Sequence, residues 1–428
     1  MAVDTSVDLR KKVIYSVYIR NHTAEGTFRS IIPDLDRIKS LGADIIWFMP
    51  IHPIGVKARK GKLGCPYSVK DYHSVNPEYG TIEDFIELVD EIHKRDMKCM
   101  IDVVYNHTSA DSVLIQEHPE WFFHNNNGDI IPRIADWSDV RDLNYKCREL
   151  WDYQIETLKR WAEIVDGFRC DVAPMVPIEF WLKARAEVAK VKPNFIWLAE
   201  TIDPGFIVFL RSVGYNANSD SEVYNAFDIT YDYDVRSAYV DYIEDKITLS
   251  EYLYELNRQE WTYPDNYVKL RYLENHDITR AANIFPNNDI LINRTAFMYF
   301  QKGTAMLYGG QEAADSNQPS LFDTDKINLN TGKDLSPLIK NLTRIKSLDI
   351  VAEGNYKLSD AGNDIVYGEY KKGNLALIGV FSLKGKSGDA AVNIPDGEYT
   401  NYADNKPVTV KNGKIKAESG RPIIIYCD

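Results

Sequence analysis

The feature that most limits what this chain can become is an alternation. Eight short apolar runs of strand character recur along it: "VIYSVYI" (13–19), "DIIWFMP" (44–50), "KCMIDVVYN" (98–106), "VDGFRCDV" (165–172), "FIWLAE" (195–200), "NAFDI" (225–229), "VKLRYLEN" (268–275) and "GTAMLYG" (303–309). Segments of helical period separate them. In "TIEDFIELVDEIHKR" (81–95) Thr81 and the acidic residues behind it open a helix, and in 147–164 Leu150, Trp151, Ile155, Leu158 and Trp161 form one stripe. Strand and helix alternating eight times predict an α/β fold: parallel strands closed as a (β/α)8 TIM barrel.

Two stretches break the rhythm. Residues 107–146 are too long and irregular for an ordinary strand-to-helix loop, so a short inserted domain after the third strand is expected. After Ile350 the pattern turns to short alternating runs between Gly, Asp and Asn turns, which predicts an antiparallel β-sandwich domain over 351–428. The barrel then comprises 1–106 and 147–350.

Reactive groups of such a barrel lie at the C-terminal ends of its strands. Those ends carry Asp102, Asn106 and His107, then Arg169 and Asp171, then Glu200, then His276 and Asp277. Any one of them reads equally well as a turn or cap residue. Four strand ends with the same enrichment point instead to an enzyme at a barrel mouth. On the fourth strand, side-chain alternation puts Gly167, Arg169 and Asp171 on one face and Phe168, Cys170 and Val172 on the other.

Charge narrows the partners. With 63 acidic against 50 basic residues the net charge is −13, so no cationic surface suits a nucleic acid. No run approaches the ~20 apolar residues of a membrane span, and the first residues lack the order of a secretory signal. Five cysteines without paired spacing suit a reducing compartment, so a cytoplasmic location is expected, although a removed leader is compatible with the same residues.

"DVVYNHTS" (102–109), "GFRCDVAP" (167–174), "WLAET" (197–201) and "YLENHD" (272–277) resemble, in order and spacing, the four signature segments of the α-amylase family, glycoside hydrolase family 13. "VRDLN" (140–144) resembles its fifth segment and "GCPYSVKDYHSVNPEYGT" (64–81) its tyrosine-bearing loop. The resemblance implies hydrolysis of α-glucosidic bonds with retention, with Asp171 as nucleophile, Glu200 as acid/base and Asp277 as stabiliser of the transition state. Arg169 would hold Asp171 ionised and oriented and would count among the substrate-binding residues, and Asp102 would pair with or orient Arg169. Tyr67 would stack under the sugar, and His107 and His276 would bind its hydroxyls.

Asn106 matches a family position that often ligates calcium. The Lys-His pair that usually accompanies that metal is replaced here by Val172-Ala173-Pro174-Met175, so no cofactor is expected to be required. The same replacement favours maltooligosaccharides over granular starch as substrate. Val172 leaves α-1,4 and α-1,6 bonds both open. A 4-α-glucanotransferase on the same site is the alternative, and a catalytically silent binding or transporter-associated relative is the alternative of another class. The chain lacks the N-terminal dimer arm of some maltodextrin-cleaving relatives, so a monomer or an unassigned oligomer is expected.

Overall fold

The computed structural model describes residues 4–134 and 136–427. Barrel strands are β1 (Val13–Val17), β2 (Ile45–Phe48), β3 (Lys98–Val103), β4 (Gly167–Cys170), β5 (Ile196–Ala199), β6 (Ile229–Tyr231), β7 (Lys269–Arg271) and β8 (Thr304–Tyr308). Each pairs in parallel with the next in sequence, and β8 closes on β1 with Val13 opposite Ala305. The alternation therefore becomes a closed eight-stranded barrel with no sheet edge to protect.

Period-two side chains sort into two cores. Ile14, Trp47, Met100, Leu198, Tyr231 and Met306 point inward and fill the barrel. Tyr15, Phe48, Ile101, Phe168, Trp197 and Leu307 point outward and lie under the helices. Gly167 is required by the inner packing, because a Cβ there would come within 2.9 Å of Met100 Cε and of the Ile196 carbonyl oxygen.

The helix Ile82–His93 starts at a capping box, with the Thr81 side chain accepting from the Asp84 N–H and the Asp84 side chain accepting from the Thr81 N–H. It buries Phe85, Leu88, Val89 and Ile92 against the barrel. The sixth strand lies later than the run "NAFDI" suggests. Phe227 packs outside the sheet against Trp181 and Trp197, at 5.2 and 6.1 Å between ring centroids, and the ladder begins only at Ile229. The third and seventh strands end earlier than their apolar runs, at Val103 and Arg271. Asn106 and His276 consequently stand on the rim rather than in the ladder.

Between β3 and β4 an excursion folds around a two-stranded antiparallel ribbon, His107–Ser109 with Val140–Asp142, in which His107 faces Asp142. At the C-terminal end of the chain, strands Asn355–Asp360, Ile365–Lys372, Leu375–Ser382 and Ile423–Cys427 form one antiparallel sheet. One face, with Val366, Tyr370, Leu377 and Phe381, joins the barrel core through Phe297 and Phe300. The other face packs Ile378, Val380 and Ile425 against two small ribbons that carry Ala390, Val408, Val410 and Ile415. Among the described residues, no helix is long and apolar enough to cross a membrane.

Candidate active site

Strand register builds the centre of the site. Asp102 on β3 sits directly opposite Arg169 on β4, both facing inward and both wholly buried. Arg169 Nη1 donates to Asp102 Oδ1 and Oδ2 at 2.9 and 3.0 Å and to Asp171 Oδ1 at 2.9 Å. Its Nη2 forms an ion pair with Glu200 Oε2 at 2.9 Å. One guanidinium thus gathers carboxylates from the ends of three strands. Trp47, Tyr67 and Tyr231 surround it, with ring centroids 5.1 to 5.6 Å from its carbon.

The chain turns sharply after Asp171. Val172 has φ of 34° and ψ of 44°, a left-handed conformation that a β-branched residue adopts only under strain of order 1–3 kcal/mol. That turn aims the Val172 N–H at Glu200 Oε2, 2.9 Å away, and so ties the β4 end to the β5 end.

Three carboxylates around one cation leave the cluster with a net charge of −2 when all are ionised. Burial pushes Glu200 up to about 7, against the pull of Arg169, and Asp171 and Asp277 add to the rise. Burial likewise raises Asp171 to about 6, where Arg169 lowers it and Asp102 raises it. Asp102 is also pushed to about 6 by burial, with Arg169 acting against it. Arg169 pulls Asp171 toward ionisation, as expected of it, but desolvation outweighs the guanidinium, which must serve several carboxylates at once.

Asp277 behaves differently. Desolvation in the crevice would raise it, but His276 Nε2 at 3.0 Å outweighs that and brings it below the usual carboxylate range. Burial lowers His276, yet Asp277 overrides it and the imidazole is raised. The Asp277 side chain is 45 % exposed, unlike the buried trio, and it lines the crevice together with Asp171 and Glu200.

Tyr67, His107, Asp171, Glu200, His276 and Asp277 line a single crevice of about 320 Å³. Tyr67 stacks on His276, with centroids 5.1 Å apart and planes 15° apart, and its hydroxyl donates to Asp102 Oδ2 at 2.9 Å. Burial lowers His107, which keeps this ring neutral. Arg169, Asp102 and Asn106 lie behind the wall, where they hold lining residues.

Lys60, Trp137, Asp139 and Phe322 also line the crevice, and sequence reasoning missed them. Lys60 Nζ reaches from the loop after β2 to Asp139 Oδ1 at 3.1 Å and to the Asp136 carbonyl at 2.9 Å, so that loop is strapped to the inserted segment. Tryptophan in "ADWSD" was the one readable signal. A larger hollow of about 510 Å³ opens at the opposite end of the barrel, where Arg185 pairs with Asp228 at 2.7 Å.

The residues at Asn106 do not fit a calcium ion. Asn106 Oδ1 accepts from Arg133 Nη2 at 3.0 Å, and Asp142 Oδ1 accepts from Arg133 Nε at 3.0 Å. A guanidinium already occupies the position next to both oxygens. Among the described residues no group of three or more His, Cys, Asp and Glu side chains is placed to hold a metal.

Comparison with known proteins adds an independent line. Residues 14–127 and 117–351 match the model of the α-amylase catalytic domain, and 357–425 match that of the bacterial α-amylase C-terminal domain. The crystal structure of an α-amylase from Lactobacillus plantarum is similar with a TM-score of 0.97 and 45 % identity, over 99 % of this chain and 100 % of that one. A maltogenic α-amylase, AmyB, from Thermotoga neapolitana is similar with a TM-score of 0.86 and 32 % identity, over 98 % and 99 % of the two chains. An α-1,4-glucan:maltose-1-phosphate maltosyltransferase of Picrophilus torridus is 24 % identical over 392 residues, 82 % of this chain and 58 % of that protein. The chain spans about half the length of the curated relatives it matches.

Proposed function

The chain belongs to the α-amylase family, and from that premise we propose that it is a retaining glycoside hydrolase that cleaves α-1,4 bonds of maltooligosaccharides. The observation that carries this reading is the guanidinium of Arg169, which holds Asp171 and Glu200 side by side at the floor of one crevice beneath Asp277. Two carboxyl groups about 5 Å apart on either side of a glycosidic bond are what retention requires.

In the first step Asp171, ionised above about pH 6, attacks the anomeric carbon and forms a glycosyl ester. Glu200, kept half protonated near pH 7 by burial, gives its proton to the departing glycosidic oxygen. In the second step Glu200, now a carboxylate, takes a proton from water as the water's oxygen displaces Asp171. The product keeps its configuration, and Glu200 is again protonated. Asp277, held anionic by His276, stabilises the positive charge that develops on the ring in both steps. Tyr67 offers an aromatic face at the reacting sugar, and His107 and His276 bind its hydroxyls.

A second reading has its own support. A relative 24 % identical over 392 residues is a maltosyltransferase, and a sugar hydroxyl in place of water would make this site a 4-α-glucanotransferase. Incubation with maltotetraose, with and without excess glucose, separates the two. Hydrolysis predicts only shorter products with one new reducing end per cleavage. Chains longer than maltotetraose, or glucose-dependent new oligosaccharides as the main products, would replace the hydrolase reading with the transferase.

A further inference from the structure

We propose that Arg133 is a positioning residue: its guanidinium serves as the cation at the junction of β3 with the inserted segment, and through Asn106 it sets which nitrogen of His107 carries the proton. The Arg133 side chain is only 7 % exposed and Asp142 is fully buried. Its Nε donates to Asp142 Oδ1 at 3.0 Å, its backbone N–H donates to Asp142 Oδ2 at 2.8 Å, and its Nη2 donates to Asn106 Oδ1 at 3.0 Å. The guanidinium lies between the rings of Phe123 and Tyr215, at 4.5 and 5.0 Å from their centroids. Phe123 belongs to the inserted segment and Tyr215 follows the helix Pro204–Ser212, so one side chain fastens three parts of the rim.

Polarity then passes along a short chain. A guanidinium only donates, so the amide of Asn106 must turn its oxygen toward Arg133. Its NH2 group is left facing Asp142 Oδ1 at 3.3 Å and His107 Nδ1 at 3.2 Å. An amide NH2 only donates as well, so Nδ1 of His107 must accept. The proton of the neutral ring therefore sits on Nε2; the ring also hydrogen-bonds to the Tyr67 backbone, and His107 lines the crevice. A divalent cation beside the same two oxygens would stand against a fixed positive charge, and it would not select an amide orientation by hydrogen bonding.

The inference rests on the reading of His107 as a hydroxyl-binding residue, but its first two readouts require no turnover. Nitrogen-15 histidine spectra of the intact chain near pH 7 are expected to show His107 as the Nε2–H tautomer; an Nδ1–H tautomer overturns the proposal. Chelator followed by added calcium is expected to leave the melting temperature unchanged, whereas a fall on chelation that calcium restores overturns it. Arg133→Met, which keeps the stem between the rings but cannot donate, is expected to lower kcat on maltotetraose by about 10²-fold with a smaller change in KM, the scale of a misplaced substrate-binding group. Arg133→Lys, which can still donate, is expected to recover most of that loss. Wild-type kcat in Arg133→Met, or equal losses in both variants, overturns the proposal. If Arg133→Met does not fold, the tautomer and the chelation result on the native chain still decide it. Were Asp171→Asn to remain active, the hydrolase reading would fall while those two readouts stood.

Discussion

Replacing Asp171 by Asn should abolish turnover and at the same time make the protein more stable. The folded state holds this carboxyl at about 6 rather than 3.8, so keeping it ionised costs the fold roughly 3 kcal/mol above pH 6. Asparagine has nearly the same shape and carries no charge. Removing one partner of a buried ion pair usually costs about 3–5 kcal/mol, because it strands the other charge. Arg169 is not stranded here, since Asp102 and Glu200 both remain on it and the cluster moves from −2 to −1. Relief of crowding therefore outweighs the lost pair. For a chain of 428 residues, roughly 3 kcal/mol corresponds to about 3 °C in melting temperature.

The sign with pH follows from proton binding. A raised carboxyl binds its proton more tightly in the folded state, so the wild type is unpenalised below about pH 4 and loses stability as pH climbs to about 6. Asp171→Asn does not share that loss. Thermal unfolding of both proteins at pH 4 and pH 8 should show a gap at pH 8 that closes at pH 4, with maltotetraose hydrolysis by the variant down at least about 10⁴-fold. A variant that melts below the wild type at pH 8, or an equal gap at both pH values, would refute the crowded-carboxylate argument.

The pH profile of kcat/KM on a chromogenic maltoside should be a narrow bell, falling below about pH 6 as Asp171 takes a proton and above about pH 7 as Glu200 loses one; a flat plateau from pH 5 to 9 would contradict both assignments. Gly167→Ala places a methyl group 2.9 Å from Met100 Cε and from the Ile196 carbonyl, and the overpacking should cost about 1–3 kcal/mol in urea unfolding. An unchanged midpoint would mean that the barrel interior has slack there.

What could be read from the residues alone was whatever depends on period and on local order. Burial of one side of each strand and one stripe of each helix imposes the eightfold alternation, so the barrel was legible. Asp171 and Glu200 were legible because each stands where an apolar run stops. Strand limits were less so: "NAFDI" is apolar because Phe227 is buried among Trp181 and Trp197 outside the ladder, and hydrophobicity does not say against what a residue is buried.

Tertiary structure alone decided the rest. Lys60, Trp137 and Phe322 come from loops far apart in the chain, and only closure of the barrel brings their rims over one crevice. In sequence Arg133 is indistinguishable from an arginine on a solvated loop; folding buries it between Phe123 and Tyr215. The acidity of Asp171 is decided in the same way, because desolvation and charge are sums over neighbours in space, and those neighbours are set by the register of strands that lie far apart along the chain.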